Sequence, residues 1–139
     1  MKSCNVPFFI VILVACVSSA VSSLVFPFYN QPFPSILECV SKSGNQDICD
    51  QFLFCAQIKA APYLEAYYKC VNEFLPRGIG KCSAKEELYY NREMRTKLLN
   101  CVKYSHDFEE LSDFEKQIMY DYQDCMEQIG QFCFNYKTV

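Results

Sequence analysis

Eight cysteines spread over residues 39–133 constrain this chain more than any other feature of its sequence. They are Cys39, Cys49, Cys55, Cys70, Cys82, Cys101, Cys125 and Cys133. Two further cysteines, Cys4 and Cys16, belong to an N-terminal segment that an exported chain loses. An even number of cysteines on an exported chain implies a disulfide framework, so we predict four disulfide bonds. The connectivity stays open, because eight cysteines can pair in about a hundred ways.

The first 23 residues have the form of a secretory signal peptide. A single cation, Lys2, precedes an apolar run from Val6 to Val17, and the segment ends in small residues. The run is shorter than the ~20 apolar residues that a membrane span requires, and no later stretch lacks charges for that long. We therefore predict a secreted, extracellular protein without a transmembrane segment, cleaved after Ala20 or Ser23.

The cysteine spacing favours disulfides over a metal site. Zinc sites are usually marked by C-x2-C or C-x4-C pairs, whereas the nearest spacings here are C-x5-C at 49/55 and C-x7-C at 125/133. The single histidine, His106, cannot complete a Cys/His set. Cys49 and Cys55 are separated by about 9 Å along a helix, more than the about 7 Å that a disulfide allows, so each must bond a different element. We expect no metal and no cofactor.

Helical periodicity and start and stop signals predict five helices. The first begins at Pro34 and stops at Gly44, the second is capped by Asn45 or Asp47, and the third begins at Pro62. No hairpin turn signal and no long alternation of apolar and polar residues indicates a strand.

Two capping boxes predict the starts of the fourth and fifth helices. Ser83 with Glu86 begins the fourth helix, and Ser112 with Glu115 begins the fifth, which ends at Gly130. The apolar stripe of the fourth helix comprises Tyr90, Met94, Leu98, Cys101 and Val102. The stripe of the fifth comprises Phe114, Ile118, Tyr122, Cys125 and Ile129.

The predicted fold is all-α, a compact disulfide-linked bundle of about five short helices in a single domain over residues 36–135. Before it, residues 24–35 read LVFPFYNQPFPS, and their prolines cannot propagate a helix, so we predict an extended segment. Cys82 and Cys133 are predicted just outside helices, where they would fasten helix ends.

The charge of the chain argues against a nucleic-acid partner and suggests contact between two oppositely charged segments. Loss of Lys2 leaves 12 of the 13 Lys and Arg residues against 16 Asp and Glu, so no nucleic-acid partner is expected. Residues 69–103 are mainly basic and residues 104–128 mainly acidic. Contact between them, within one molecule or between two, is a further prediction. The intermolecular form would be a salt-sensitive self-association.

Catalytic motifs are missing from the sequence. The His106-Asp107 pair resembles that of secreted phospholipases A2, but those enzymes place two adjacent cysteines before the pair and use a glycine-rich calcium loop. This chain has neither, and it has only 4 glycines. Any catalytic triad would have to use the same histidine. We therefore predict that the protein is not an enzyme and that the acidic residues form a solvated face rather than a calcium site.

Two tyrosine pairs are candidate binding residues. They are Tyr67-Tyr68 and Tyr89-Tyr90. Neighbours in one helix cannot both face inward, so at least one member of each pair must face elsewhere. Exposed tyrosines favour binding, since they bring contact area and a hydroxyl at low entropic cost. We predict a surface-binding role for these four side chains.

The distribution of cysteines over the helices and the stretch FEKQIMYDYQDC, residues 114–125, resemble small secreted cysteine-rich helical proteins of arthropods. The nearest named type is the microplusin-like antimicrobial group of five-helix disulfide proteins, and the likeness covers residues 39–125. The resemblance implies an extracellular helical fold. The histidine-rich, copper-binding character of that group is absent here, so no metal site is carried over.

Two functions are compatible with these features. The first is a secreted, non-enzymatic, toxin-like protein of the venom, saliva, haemolymph or silk type, which acts by binding an unknown extracellular protein. The alternative is an extracellular carrier that holds an apolar ligand in an aromatic-lined cavity between helices.

Overall fold

The computed structural model describes residues 33–137 and confirms the predicted all-α class. Its five helices are α1 (Phe33–Ser41), α2 (Gln46–Ala56), α3 (Ala61–Phe74), α4 (Arg92–Lys103) and α5 (Asp113–Lys137), with a 3-10 turn at Phe108–Glu110. Within residues 33–137 there is no strand. The predicted signal peptide, residues 1–23, lies outside the described part of the chain. So does most of the predicted extended segment, but its last three residues form the first turn of α1.

Two helices begin at the capping residues that the sequence predicts. Asn45 Oδ1 accepts a hydrogen bond from the Asp47 amide at 2.9 Å at the start of α2. Ser112 Oγ accepts from the Glu115 amide at 3.3 Å, and Glu115 Oε2 accepts from the Ser112 amide at 2.9 Å. These bonds satisfy backbone donors that a helix start leaves unpaired, so the predicted starts of α2 and α5 are confirmed.

The predicted start of the fourth helix is wrong. Ser83 Oγ does accept a bond from the Glu86 amide at 3.1 Å, but residues 83–85 form only a bend. A helix cannot follow, because Tyr89 and Tyr90 have φ values of 55° and 62°, in the left-handed region. α4 begins only after Asn91, whose side chain is the true N-cap.

The predicted end of the fifth helix is also wrong, because α5 continues through Gly130 and includes Cys133. Gly130 is needed for close packing rather than for termination. A Cβ atom at this position would lie 2.6 Å from Cγ1 and 2.8 Å from Cδ1 of the buried Ile36 of α1. The predicted stripe is also shifted, since Phe114 is 75% exposed. The buried residues of α5 are Met119, Tyr122, Met126, Ile129, Gly130 and Cys133.

Replacing Gly130 by alanine is expected to lower the free energy of unfolding by about 1–2 kcal/mol. Overpacking a core contact costs about 1–3 kcal/mol, and the better helix propensity of alanine returns about 1 kcal/mol or less. Urea unfolding followed by circular dichroism would measure the change. In a double-mutant cycle, Ile36→Ala should remove most of the cost of Gly130→Ala, and strictly additive effects would contradict the proposed contact.

The four predicted disulfides are present, and three of them join helices that already pack together. Cys39–Cys133 joins α1 to α5, Cys55–Cys125 joins α2 to α5, Cys70–Cys101 joins α3 to α4, and Cys49–Cys82 joins α2 to the connection between α3 and α4. The helices therefore form two groups, which we call the three-helix layer (α1, α2, α5) and the two-helix layer (α3, α4). Among residues 33–137, the Cys49–Cys82 bond is the covalent link between the three-helix layer and the chain that joins α3 to α4.

An ionic network adds a noncovalent link between the layers. Arg95 of α4 is 3% exposed, and its guanidinium donates to Glu38 of α1 at 2.6 Å and to Glu87 at 2.8 Å. Glu38 also accepts from Lys42 and Arg92. These two arginines of the basic segment thus pair with Glu38 and Glu87, which lie outside the acidic segment 104–128. Self-association between the two segments stays a prediction.

Candidate functional site

The connection between α3 and α4 is the least regular part of the described chain. It comprises residues 75–91, which form neither helix nor strand, and we call it the 75–91 loop. Helix–helix connections usually have about 2–8 residues, and longer irregular loops in compact domains are often functional. Three apolar side chains, Leu75, Leu88 and Tyr89, are buried, and Cys82 is bonded to Cys49. The loop is therefore held against the core at several points along its length.

The backbone of the loop adopts a conformation that most residues avoid. Gly78 and Gly80 have positive φ values, and so do Tyr89 and Tyr90. A Cβ on Gly80 would lie 2.6 Å from the carbonyl oxygen of Glu87, so only glycine fits there. Left-handed backbone costs a non-glycine residue roughly 1–2 kcal/mol, and such strain often accompanies functional segments. The Tyr89 amide donates to the Ile79 carbonyl at 2.6 Å, which closes the loop on itself.

Tyr89 shows what holds this backbone in place. Its side chain is 2% exposed, and its hydroxyl is 2.9 Å from the hydroxyl of Tyr67 on α3, which is also buried. Burial raises the pKa of both phenols. The prediction that Tyr67 and Tyr89 lie on a binding surface is therefore wrong. They form an internal contact that holds the end of the loop against the two-helix layer.

The other two predicted binding tyrosines are separated in the structure. Tyr68 is 47% exposed on α3, and its hydroxyl donates to the side-chain carbonyl of Gln57. Tyr90 is half-buried in the loop, with the Arg77 guanidinium 5.8 Å from its ring centroid. A binding role for Tyr68 and Tyr90 stays a prediction, and the four tyrosines do not form one patch.

Three exposed cations give the loop a positive surface. They are Arg77, Lys81 and Lys85. Glu87, one of the two acidic residues of the loop, forms an ion pair with Arg95. The chain as a whole has a formal net charge of −3, so this surface contrasts with the rest of the molecule. Sequence reasoning missed these residues, although the basic character of residues 69–103 was the available signal.

A partly buried lysine, Lys59, lies beside two aromatic rings of the bundle. Lys59 Nζ donates to the Ala56 carbonyl at 2.9 Å and lies 4.8 and 4.5 Å from the ring centroids of Tyr67 and Tyr122. The adjacent cavity has a volume of about 40 Å³. That is room for about one water molecule, whereas ligand sites have about 300–1,000 Å³. This cavity therefore does not support the carrier function that the sequence left open.

Lys59 is expected to make the free energy of unfolding depend on pH between about 7 and 10.5. Burial lowers its pKa from the ordinary 10.5 to about 7. Between these values the unfolded chain binds a proton that the folded chain does not, so the free energy of unfolding should rise with pH, by up to about 1.4 kcal/mol per unit. The raised pKa values of Tyr67 and Tyr89 have the opposite effect on the free energy of unfolding, but only above about pH 10, where the unfolded phenols lose their protons.

Denaturant unfolding at pH 7, 8 and 9 would measure this dependence, with Lys59→Met as the matched variant. We expect the variant to lose the slope and to be more stable at pH 7. An unchanged slope in the variant would show that other groups cause the pH dependence. A flat profile in the native chain would show that the two rings compensate the lost hydration of Lys59.

Other predicted sites take structural roles. All eight cysteines are in disulfides, and residues 33–137 contain no grouping of three or more His, Cys, Asp or Glu side chains that could hold a metal ion. His106 is exposed; its ring lies 5.9 Å from that of Tyr63, and its carbonyl accepts from the Tyr63 hydroxyl. No helix in the described part of the chain is long and apolar enough to cross a membrane.

A protein-family model described as Hi1a-like, U10-hexatoxin-Hi1a, matches residues 23–134. The match covers most of the chain and includes all eight paired cysteines. The chain belongs to the Hi1a-like family. This is a cysteine-rich, arthropod toxin-type family, which confirms the predicted resemblance to arthropod cysteine-rich proteins at that level. The more specific resemblance to the microplusin-like group is not supported.

No curated protein and no solved structure matches this Hi1a-like chain. The match begins at residue 23, the last residue of the predicted signal peptide. Membership of the Hi1a-like family and the four disulfides are consistent with secretion and with a toxin-like binding protein. The 75–91 loop lies entirely within the matched residues.

Proposed function

We propose that this protein is a secreted, non-enzymatic toxin-like protein that binds an extracellular target protein through the 75–91 loop. One observation carries the proposal. The loop is long and irregular, it is fixed by a disulfide and by buried side chains, and it presents cations on an otherwise acidic molecule.

A fixed loop suits binding because little conformational entropy is lost when it meets its target. The Cys49–Cys82 bond and the buried Tyr89 restrict the loop before contact. Arg77, which lies near Tyr90, and Tyr90 itself are of residue types that are enriched among residues with large effects on binding.

The charge of the loop indicates the chemistry of the target. Arg77, Lys81 and Lys85 would be attracted to an acidic surface, and such attraction accelerates association. Contact with lipid fits less well, because each cation contributes only about 1 kcal/mol even at an anionic membrane and the whole molecule is net negative. The proposed target is therefore an acidic surface of an extracellular protein.

Two charge-matched variants test this proposal. Lys81→Gln/Lys85→Gln removes two loop cations, and Lys69→Gln/Lys97→Gln removes two exposed cations from α3 and α4. Fluorescently labelled protein would be titrated onto intact nerve or muscle cells. We expect the loop variant to bind about tenfold more weakly, which corresponds to about 1.4 kcal/mol, and the control variant to bind normally.

Equal loss in the two variants, or no loss in the loop variant, would refute the role of the loop. The loss should lie mainly in the association rate and should shrink at high salt, because charge steering is screened. Binding that survives protease treatment of the cell surface would refute a protein target.

A further inference from the structure

An open cleft of about 550 Å³ lies between α1 and α4 beside the end of α5. Leu37 of α1 and Leu99 of α4 contribute apolar walls, and Phe134 of α5 lies at one side. Glu38, Lys42 and Arg92 contribute charged groups. The cleft shares Leu37 and Leu99 with the small cavity around Lys59 but is far larger, and its volume falls within the about 300–1,000 Å³ of small-molecule sites.

The charges around the cleft are not balanced. Oε1 of Glu38 accepts from Lys42 at 2.6 Å and from Arg92 at 3.0 Å, while Oε2 accepts from Arg95 at 2.6 Å. Arg95 also pairs with Glu87. Three cations therefore share two carboxylates. The side chains of Lys42 and Arg92, which both line the cleft, are 41% and 78% exposed, so their remaining donors are accessible to a ligand.

We propose that this cleft binds a small amphiphilic carboxylate, such as a fatty acid of medium chain length. Its carboxylate would bind Arg92 and Lys42, where one further negative charge balances the network. Its hydrocarbon chain would contact Leu37, Leu99 and Phe134. A guanidinium suits a carboxylate because its donors match both oxygens. The proposal is independent of the 75–91 loop and gives the protein a second kind of ligand.

Two other occupants of the cleft have to be distinguished from a small carboxylate ligand. Residues 24–32, LVFPFYNQP, immediately precede α1, but they contain no charged side chain and would leave the excess cation unbalanced. A second copy of the chain would also have to place a carboxylate here. Each of these occupants predicts a distinct experimental outcome.

Calorimetry and 15N NMR of the full secreted, oxidised chain with decanoate and decan-1-ol, below their aggregation limits, would test the proposal. We expect one decanoate per molecule, amide shifts centred on Leu37, Leu99 and Phe134, and affinity for decanol at least about tenfold lower. Arg92→Gln should reduce decanoate affinity about tenfold and leave decanol affinity unchanged. Lys81→Gln, the same charge change in the loop, should leave both unchanged.

Equal affinity for decanoate and decanol, shifts centred elsewhere, or no binding would each overturn the proposal. Decanoate binding that appears only after Phe26→Ser/Phe28→Ser would assign the cleft to the chain's own N-terminal segment instead. Dimerisation that decanoate cannot reverse in sedimentation would assign it to a second copy. Failure of the loop proposal is seen separately, in cell binding by the Lys81→Gln/Lys85→Gln variant.

Discussion

Replacing Cys39 and Cys133 together by alanine is expected to lower the free energy of unfolding by about 3.5 kcal/mol. Their separation of 94 residues would give about 4.7 kcal/mol if the bond acted alone in the unfolded chain. Cys55–Cys125 already closes most of that loop, however, and leaves about 24 residues of chain for the outer bond to restrict. The Cys55–Cys125 bond, which stays intact in this variant, therefore reduces the expected loss of stability from about 4.7 to about 3.5 kcal/mol.

The matched variant is Cys70→Ala/Cys101→Ala, whose bond closes 31 residues within the two-helix layer. It should cost about 3.7 kcal/mol, nearly the same as the outer bond despite the much shorter separation. Guanidinium unfolding of both variants without reductant would give the comparison. A deficit about 1 kcal/mol or more larger for the Cys39–Cys133 variant would show that the outer loop behaves independently of the inner bonds.

Glu38→Gln is expected to lower the free energy of unfolding at pH 7 by roughly 2–3 kcal/mol, because it leaves the buried Arg95 with one carboxylate partner. Hydrogen bonds from Lys42, Arg92 and Arg95 lower the pKa of Glu38 from 4.5 to about 2. A lowered carboxyl pKa stabilises the folded chain above the unfolded value, so this contribution should disappear as pH falls from about 4.5 to 2.

Unfolding measured at pH 7 and at intervals from pH 5 to 2 would test both the loss of stability at pH 7 and its dependence on pH. The native chain should lose stability over that interval, and Glu38→Gln should lose much less. Glu93→Gln is the control, since Glu93 is in an exposed pair with Lys97 on α4, and it should change stability little. Parallel pH profiles for the native chain and Glu38→Gln would contradict the assigned role of Glu38.

Local signals predicted the helices well where no distant contact opposed them. The boxes at Ser83 and Ser112 look alike in sequence, yet only Ser112 begins a helix. The difference arises at Tyr89, whose burial against Tyr67 fixes a left-handed backbone. Gly130 illustrates the same limit, because its role depends on Ile36 and therefore on how α1 packs against α5. Sequence periodicity carries no information about such pairs.

The candidate site was only partly predictable for the same reason. The basic character of residues 69–103 was visible in the sequence, but it indicated neither a cationic loop nor which tyrosines would be buried. The network of Glu38 and Arg95 joins residues 57 positions apart and has no local signature. The cleft beside it arises from the spacing of α1 and α4, which the sequence does not specify.

The Cys39–Cys133 bond encloses nearly the whole described chain, and the other three bonds lie inside it. A protease that cuts any one peptide bond between these two residues leaves both fragments attached to each other. The exposed 75–91 loop can therefore be nicked in a digestive or wounded tissue without releasing a piece of the molecule. Such damage would become visible on a gel only after reduction.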